Sequence, residues 1–114
     1  MKLKLPMFLL IITSLSCSSV KTTQKALNYG NYDEAINIAV KNLRNNKTKK
    51  SNQPYILMLK DAFKKVTLRD LDRIQFLTKQ GDDSNLEEIY NLYSNLNRRQ
   101  DLIKPLLPLY IAEQ

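Results

Sequence analysis

An all-α fold is predicted by three observations. Apolar residues recur at spacings of three and four along most of the chain after residue 23. No segment alternates polar and apolar side chains as a half-buried strand does. Only two glycines are present, Gly30 and Gly81. That is too few for a set of β-hairpins, and each stands where a helical repeat stops. About four helices are expected, folded as antiparallel hairpins.

The first nineteen residues are of another kind. Lys2 and Lys4 form a short positive segment, and Met7 to Leu15 is apolar. Nine helical residues span only about 14 Å, too little to cross a bilayer. Ser16 then precedes Cys17, the only cysteine. The string Ser14-Leu15-Ser16-Cys17 resembles the lipobox of bacterial lipoproteins, departing from it at Ser14, where Leu is usual. That resemblance implies cleavage after residue 16, a diacylglycerol on the Cys17 thiol, and acylation of the new amine. Two or three acyl chains would hold the protein stably at a membrane, where one would not. By resemblance to a sorting rule of Gram-negative lipoproteins, Ser18 in place of an aspartate directs the protein to the outer membrane, facing the periplasm. The expected organisation is 1–16 signal peptide, 17–23 lipidated cysteine and polar tether, 24–104 helical domain, and 105–114 a Pro/Leu-rich tail.

Loss of residues 1–16 leaves 98 of 114, enough for one modest core, and removing Lys2 and Lys4 lowers the net charge from +7 to +5. Histidine is absent, and Cys17 is the only cysteine, which the lipobox resemblance assigns to lipid. Cys/His zinc sites and Ser-His or Cys-His catalysis are thereby excluded. No cofactor is expected beyond the covalent lipid.

The first helix runs from about Gln24 to Tyr29 and stops at Gly30. Asn31 with Glu34 has the spacing of a capping box for the second helix, whose face is Tyr32, Ala35, Ile36, Ala39 and Leu43. The small Ala35 and Ala39 allow a partner helix to approach closely. Residues 26–36, with Gly30, Tyr32 and Ala35, resemble the turn of a tetratricopeptide repeat. The likeness fades at Asn42 and Lys47, where that family has a small residue and a proline. A basic connection through Ser51 and Asn52 leads to Pro54, suited to the first turn of a third helix. Its stripe is Tyr55, Leu59, Ala62, Phe63 and Val66, continuing shifted through Leu68, Leu71, Ile74 and Leu77. One helix over 53–80 is expected, with a break near Thr67 as the alternative. Ser84 and Glu87 have capping-box spacing for a fourth helix with the face Leu86, Ile89, Tyr90, Tyr93 and Leu96. Pro105 and Pro108 end the helical signal. The segments around 70–74, 96–100 and 104–109 resemble lipoproteins of Bacteroidetes-type bacteria with a longer chain. That likeness carries no activity but implies that the chain is truncated at Gln114. A truncated chain would leave the apolar tail exposed, and a complete domain would fold it back.

Candidate sites are few. Arg44, Lys47, Lys49 and Lys50 form a basic run with no acid between Lys41 and Lys60, suited to lipid headgroups, polyanionic glycans or nucleic acid. Solvated cations at a helix C-terminus, where they suit the dipole, are the favoured explanation over specific binding. A short tether and an antiparallel turn at Gly30 would bring this run back toward the membrane. Tyr90 and Tyr93 suit core packing better than a groove. Asp70 and Asp72 point to different sides of a helix and make a poor acid/base pair. Arg98 and Arg99 could clamp a carboxylate, with surface charge the default, and Glu87 and Glu88 are accounted for by the cap. No constellation argues for catalysis, so no enzyme is expected. The expected role is a membrane-anchored helical adaptor for a protein or envelope polymer. An envelope enzyme or glycan-binding lipoprotein is the alternative, and an exported protein meets little nucleic acid.

Overall fold

A computed structural model describes residues 19–110. Residues 1–18, on which the expected signal peptide and the lipidated Cys17 fall, and the last residues, 111–114, lie outside the described part. The described residues are all-α, with four helices: α1 over 19–28, α2 over Tyr32–Asn45, α3 over Gln53–Gln80 and α4 over Leu86–Ile103. Short 3₁₀ turns stand at Lys50–Asn52, Asp83–Asn85 and Lys104–Leu106.

Residues 19–23, expected as tether, are already helical. Val20 packs against the core, Thr23 is fully buried, and Ala26 and Leu27 follow on the same face. The Thr23 hydroxyl donates to the Ser19 carbonyl at 2.8 Å, so its polar atom is satisfied within the helix. At Gly30 (φ +82°) the chain reverses through paired bonds. The Asn31 N–H donates to Ala26 O at 2.8 Å and the Gly30 N–H to Leu27 O at 3.2 Å, a Schellman motif. That motif consumes the Asn31 N–H which Glu34 would reach in a capping box, and Asn31 makes no side-chain cap bond. The capping box expected there is not formed.

The α2–α3 pair holds the core. Ala35, Ile36, Ala39, Val40 and Leu43 cluster with Tyr55, Ile56, Met58, Leu59, Ala62 and Val66. Ala35, Ala39 and Ala62 are wholly enclosed, as close backbone approach requires. Helix α3 starts with Pro54 in its first turn and runs unbroken past Thr67 to Gly81, which is left-handed at φ +64°. It is about twice as long as α2, roughly 42 Å against 21 Å. Arg69 stacks over the ring of Tyr32 at the start of α2, so the remainder of α3 extends past α2 and packs against α4.

The Ser84/Glu87 box is also replaced. The Asp82 carboxylate accepts the Ser84 N–H at 2.9 Å ahead of a 3₁₀ turn, and α4 begins at Leu86. Among its residues only Arg99 is fully buried. Ile89, Leu92, Leu96 and Ile103 share that face and are half-buried. The described part of the tail folds back: Leu106 and Leu109 enter the main cluster, while Leu107 and Tyr110 stay exposed. No helix among the described residues is long and apolar enough to cross a membrane.

Candidate functional site

The connection between α2 and α3 is knitted by its own amides. Asn46 Oδ1 accepts from the N–H and the hydroxyl of Thr48 at 3.1 and 2.8 Å. Asn52 Nδ2 donates to the carbonyls of Asn42 and Asn46 at 3.2 and 2.9 Å. Gln53 Nε2 donates to those of Lys47 and Lys49 at 3.3 and 3.2 Å. This framework leaves Arg44, Lys49 and Lys50 exposed to solvent. Lys47 turns inward instead, where its ammonium donates to the carbonyls of Leu106 and Pro108 at 3.0 Å each. The four cations therefore divide, three facing outward and one holding the tail. At the same end the Tyr55 hydroxyl donates to Ser19 Oγ at 2.8 Å. The start of α1 thus lies beside the first turn of α3, next to the basic connection. Cys17 itself lies outside the described residues.

A second cluster joins three helices. Arg99 is 2 % exposed. Its Nε and Nη2 donate to the two oxygens of Asp33 at 2.7 and 3.0 Å, and its Nη1 donates to Asp70 Oδ2 at 2.6 Å. Arg98 reaches Asp33 at 3.4 Å and Arg69 reaches Asp70 at 3.1 Å. The bond from Arg99 holds the Asp33 carboxyl below its ordinary value, and the Asp33 carboxylate in turn raises Arg99. Surface charge, the default for Arg98 and Arg99, is corrected for Arg99: it clamps two carboxylates of its own chain. Asp70 and Asp72 part as their spacing implies, Asp70 buried in this cluster and Asp72 exposed. All three guanidinium nitrogens are engaged by carboxylates of the chain itself, so the cluster acts as a structural pin between α2, α3 and α4.

The α4 face forms a third feature. Leu86, Tyr90 and Tyr93 are 61 %, 71 % and 50 % exposed, so Tyr90 and Tyr93 are not core residues. Two overlapping apolar stripes occupy α4, about a quarter-turn apart. Packing selects Ile89, Leu92, Leu96 and Ile103, because Arg99 on that side must reach Asp70 and Asp33. The stripe with the tyrosines is left to solvent. On α3, Leu68 and Leu71 are likewise exposed, whereas Ile74 and Leu77 are buried. Glu88, assigned to a cap in the sequence, instead accepts two bonds from Arg73 at 2.9 and 3.1 Å. Those bonds hold the Glu88 carboxyl below its ordinary value. Arg73 also lies 5.5 Å above the Phe76 ring.

Finally, α3, the end of α4 and the returning tail enclose a groove of about 490 Å³. Leu59, Phe63, Ile103, Leu107 and Leu109 form its wall, with Lys60, Gln100 and Lys104 beside them. Its parts come from three separate segments, so spacing along one helix could not reveal it. Among the described residues no group of three or more His, Cys, Asp or Glu side chains is placed to hold a metal ion. No known family, curated protein or solved structure matches the chain.

Proposed function

We propose that the chain is a lipid-anchored helical interaction module of the bacterial cell envelope, held at the outer membrane through Cys17 and presenting α3 and α4 to a protein or envelope polymer in the periplasm. The observation that carries the interaction reading is the solvent-facing Leu86, Tyr90 and Tyr93 stripe on α4. Aromatic side chains supply much of the energy of protein interfaces, and a helix that spends its second stripe on solvent has it available for a partner. The anchor reading rests on the apolar segment before Cys17 and on its likeness to a lipobox. Supporting it, Ser19 meets Tyr55, so a lipid two residues before Ser19 would emerge near Arg44, Lys49 and Lys50. Each exposed cation close to anionic headgroups contributes about 1 kcal/mol, fading within a Debye length. The basic end would then face the bilayer, and the α3–α4 turn at Gly81 would point away from it.

Two experiments test the two halves. Wild-type protein should take up labelled palmitate and fractionate with membranes, and Cys17→Ser should do neither. Membrane-bound, unlabelled protein in both cases sinks the anchor. For the interaction, a photo-crosslinking residue at Tyr90 in anchored protein should give a discrete adduct, lost in Leu86→Ser/Tyr93→Ser without a change in melting temperature. An adduct that survives that double change counts against this face. Orientation is read from spin labels on liposome-anchored protein: Thr48 should lie nearer the lipid than Gln80 at low salt. Equal depth would remove the headgroup contact.

A further inference from the structure

We infer that the groove between α3, the end of α4 and the returning tail binds a single-chain anionic amphiphile, a free fatty acid, with its chain along the apolar wall and its carboxylate between Lys60 and Lys104. The groove's 490 Å³ or so falls in the range of small-molecule sites, which are mostly apolar with a few placed polar groups. Leu59 and Leu109 are buried in its wall, and Phe63 and Ile103 are half-buried along it. Leu107 is more than half exposed and stands at the mouth. Exposed apolar atoms on a tail that has otherwise folded back are what a long aliphatic chain would cover.

Charge selects the head group. The polar members of the lining are Lys60, Lys104 and Gln100, all exposed, and among the described residues no carboxylate lines the groove. Some cations elsewhere in the molecule are matched by carboxylates: Lys65 with Asp61, Arg73 with Glu88, Arg99 with Asp33 and Asp70. Lys60 and Lys104 form no ion pair among the described residues. Two unmatched ammonium groups at the rim of an apolar groove favour a ligand with one anionic end and an apolar body. They disfavour a neutral alkane, which gains nothing from them, and a cationic amphiphile, which they repel. Lys60 lies in the second turn of α3 and Lys104 just after α4, so the head group would bridge two helices and the tail. This site is independent of the anchor and of the α4 face, so either reading can fail without the other.

The test is a displacement titration of the purified protein with a fluorescent fatty acid below its micelle concentration. One site per chain is expected, emptied by myristate and about tenfold less well by laurate, two methylenes shorter. Methyl myristate should compete at least tenfold more weakly than myristate. Lys60→Gln/Lys104→Gln, a change at two exposed positions, should lower affinity for the acid about tenfold and leave the ester unaltered. Equal affinity for acid and ester, or an unchanged double variant, overturns the proposal. So does binding to anionic vesicles with no binding of the free acid, which would make the groove a bilayer contact. Binding seen only after removal of residues 111–114 would place the chain's own end in the groove. Release of the probe by rising protein concentration would place a second copy there. Either result also overturns the proposal.

Discussion

Arg99 shows how one side chain can hold three helices together. Its guanidinium leaves water only because Asp33 and Asp70 take up its donors, and Asp70, itself buried, depends on it in return. Arg99→Met should therefore destabilise the fold by about 3–5 kcal/mol in a denaturant titration, because the buried Asp70 is left with only the half-exposed Arg69 as a partner. Adding Asp70→Asn should recover part of that loss. A loss no larger than that of a surface arginine would show that the pin is dispensable. The same cluster sets a pH dependence. Arg99 depresses Asp33 in the folded state, while in the unfolded chain it titrates near its ordinary value of 3.8. Its contribution is therefore complete above that value and is lost as pH falls through and below it. Asp82 and Glu88 are shifted in the same direction and add to the slope. Melting temperature should fall between pH 5 and pH 3, and Asp33→Asn should flatten that decline while lowering stability at neutral pH. Spacing along the chain could not identify Arg99, since Asp33 and Asp70 are 66 and 29 residues away.

The elements follow two local devices, small residues where helices meet and glycine where they stop. Ala35 and Ala39 on α2 face Ala62 and its neighbours on α3 in one closed cluster. Ala39→Leu should cost about 1–3 kcal/mol by overpacking, visible as a drop in denaturant midpoint. Gly81 shows the second device separately from packing. A Cβ there would meet nothing within 4 Å, yet φ is +64°. Gly81→Ala should cost about 1–2 kcal/mol from backbone strain alone. A neutral result would mean that the turn relaxes to another shape. Both glycine stops and the ends of α2 and α3 were legible in the sequence, because each depends on residues within a few positions. The two capping boxes were not, because their backbone donors were claimed by neighbours. Asn31 spent its N–H on the Gly30 turn, and Asp82 took the Ser84 N–H. On α4 the sequence offered two apolar stripes, and periodicity alone could not choose between them.

At the scale of the whole molecule, the returning tail closes one end of the helical stack. Lys47 joins the α2–α3 connection to the tail across 59 and 61 residues. Lys47→Ala should free Leu106 and Leu109, raising amide exchange over 104–110 and increasing binding of a hydrophobic dye, at a cost of about 1.5–3 kcal/mol. Unchanged exchange would show that the two leucines hold the tail unaided. The sequence by itself determined the all-α class, the helix count and both glycine reversals, and left open whether α3 breaks near Thr67, which the structure shows it does not. The first three are set by short-range periodicity and backbone geometry, which any local window contains. It also supplied the apolar N-terminal stretch and Cys17, on which the proposed anchor rests. Only tertiary structure decided which α4 stripe faces solvent, that Arg99 is inside, that Lys47 points to the tail and that Phe63 and Leu107 border one groove. Each of these depends on which distant group arrives opposite a side chain, and burial and charge pairing are properties of that encounter rather than of the residue.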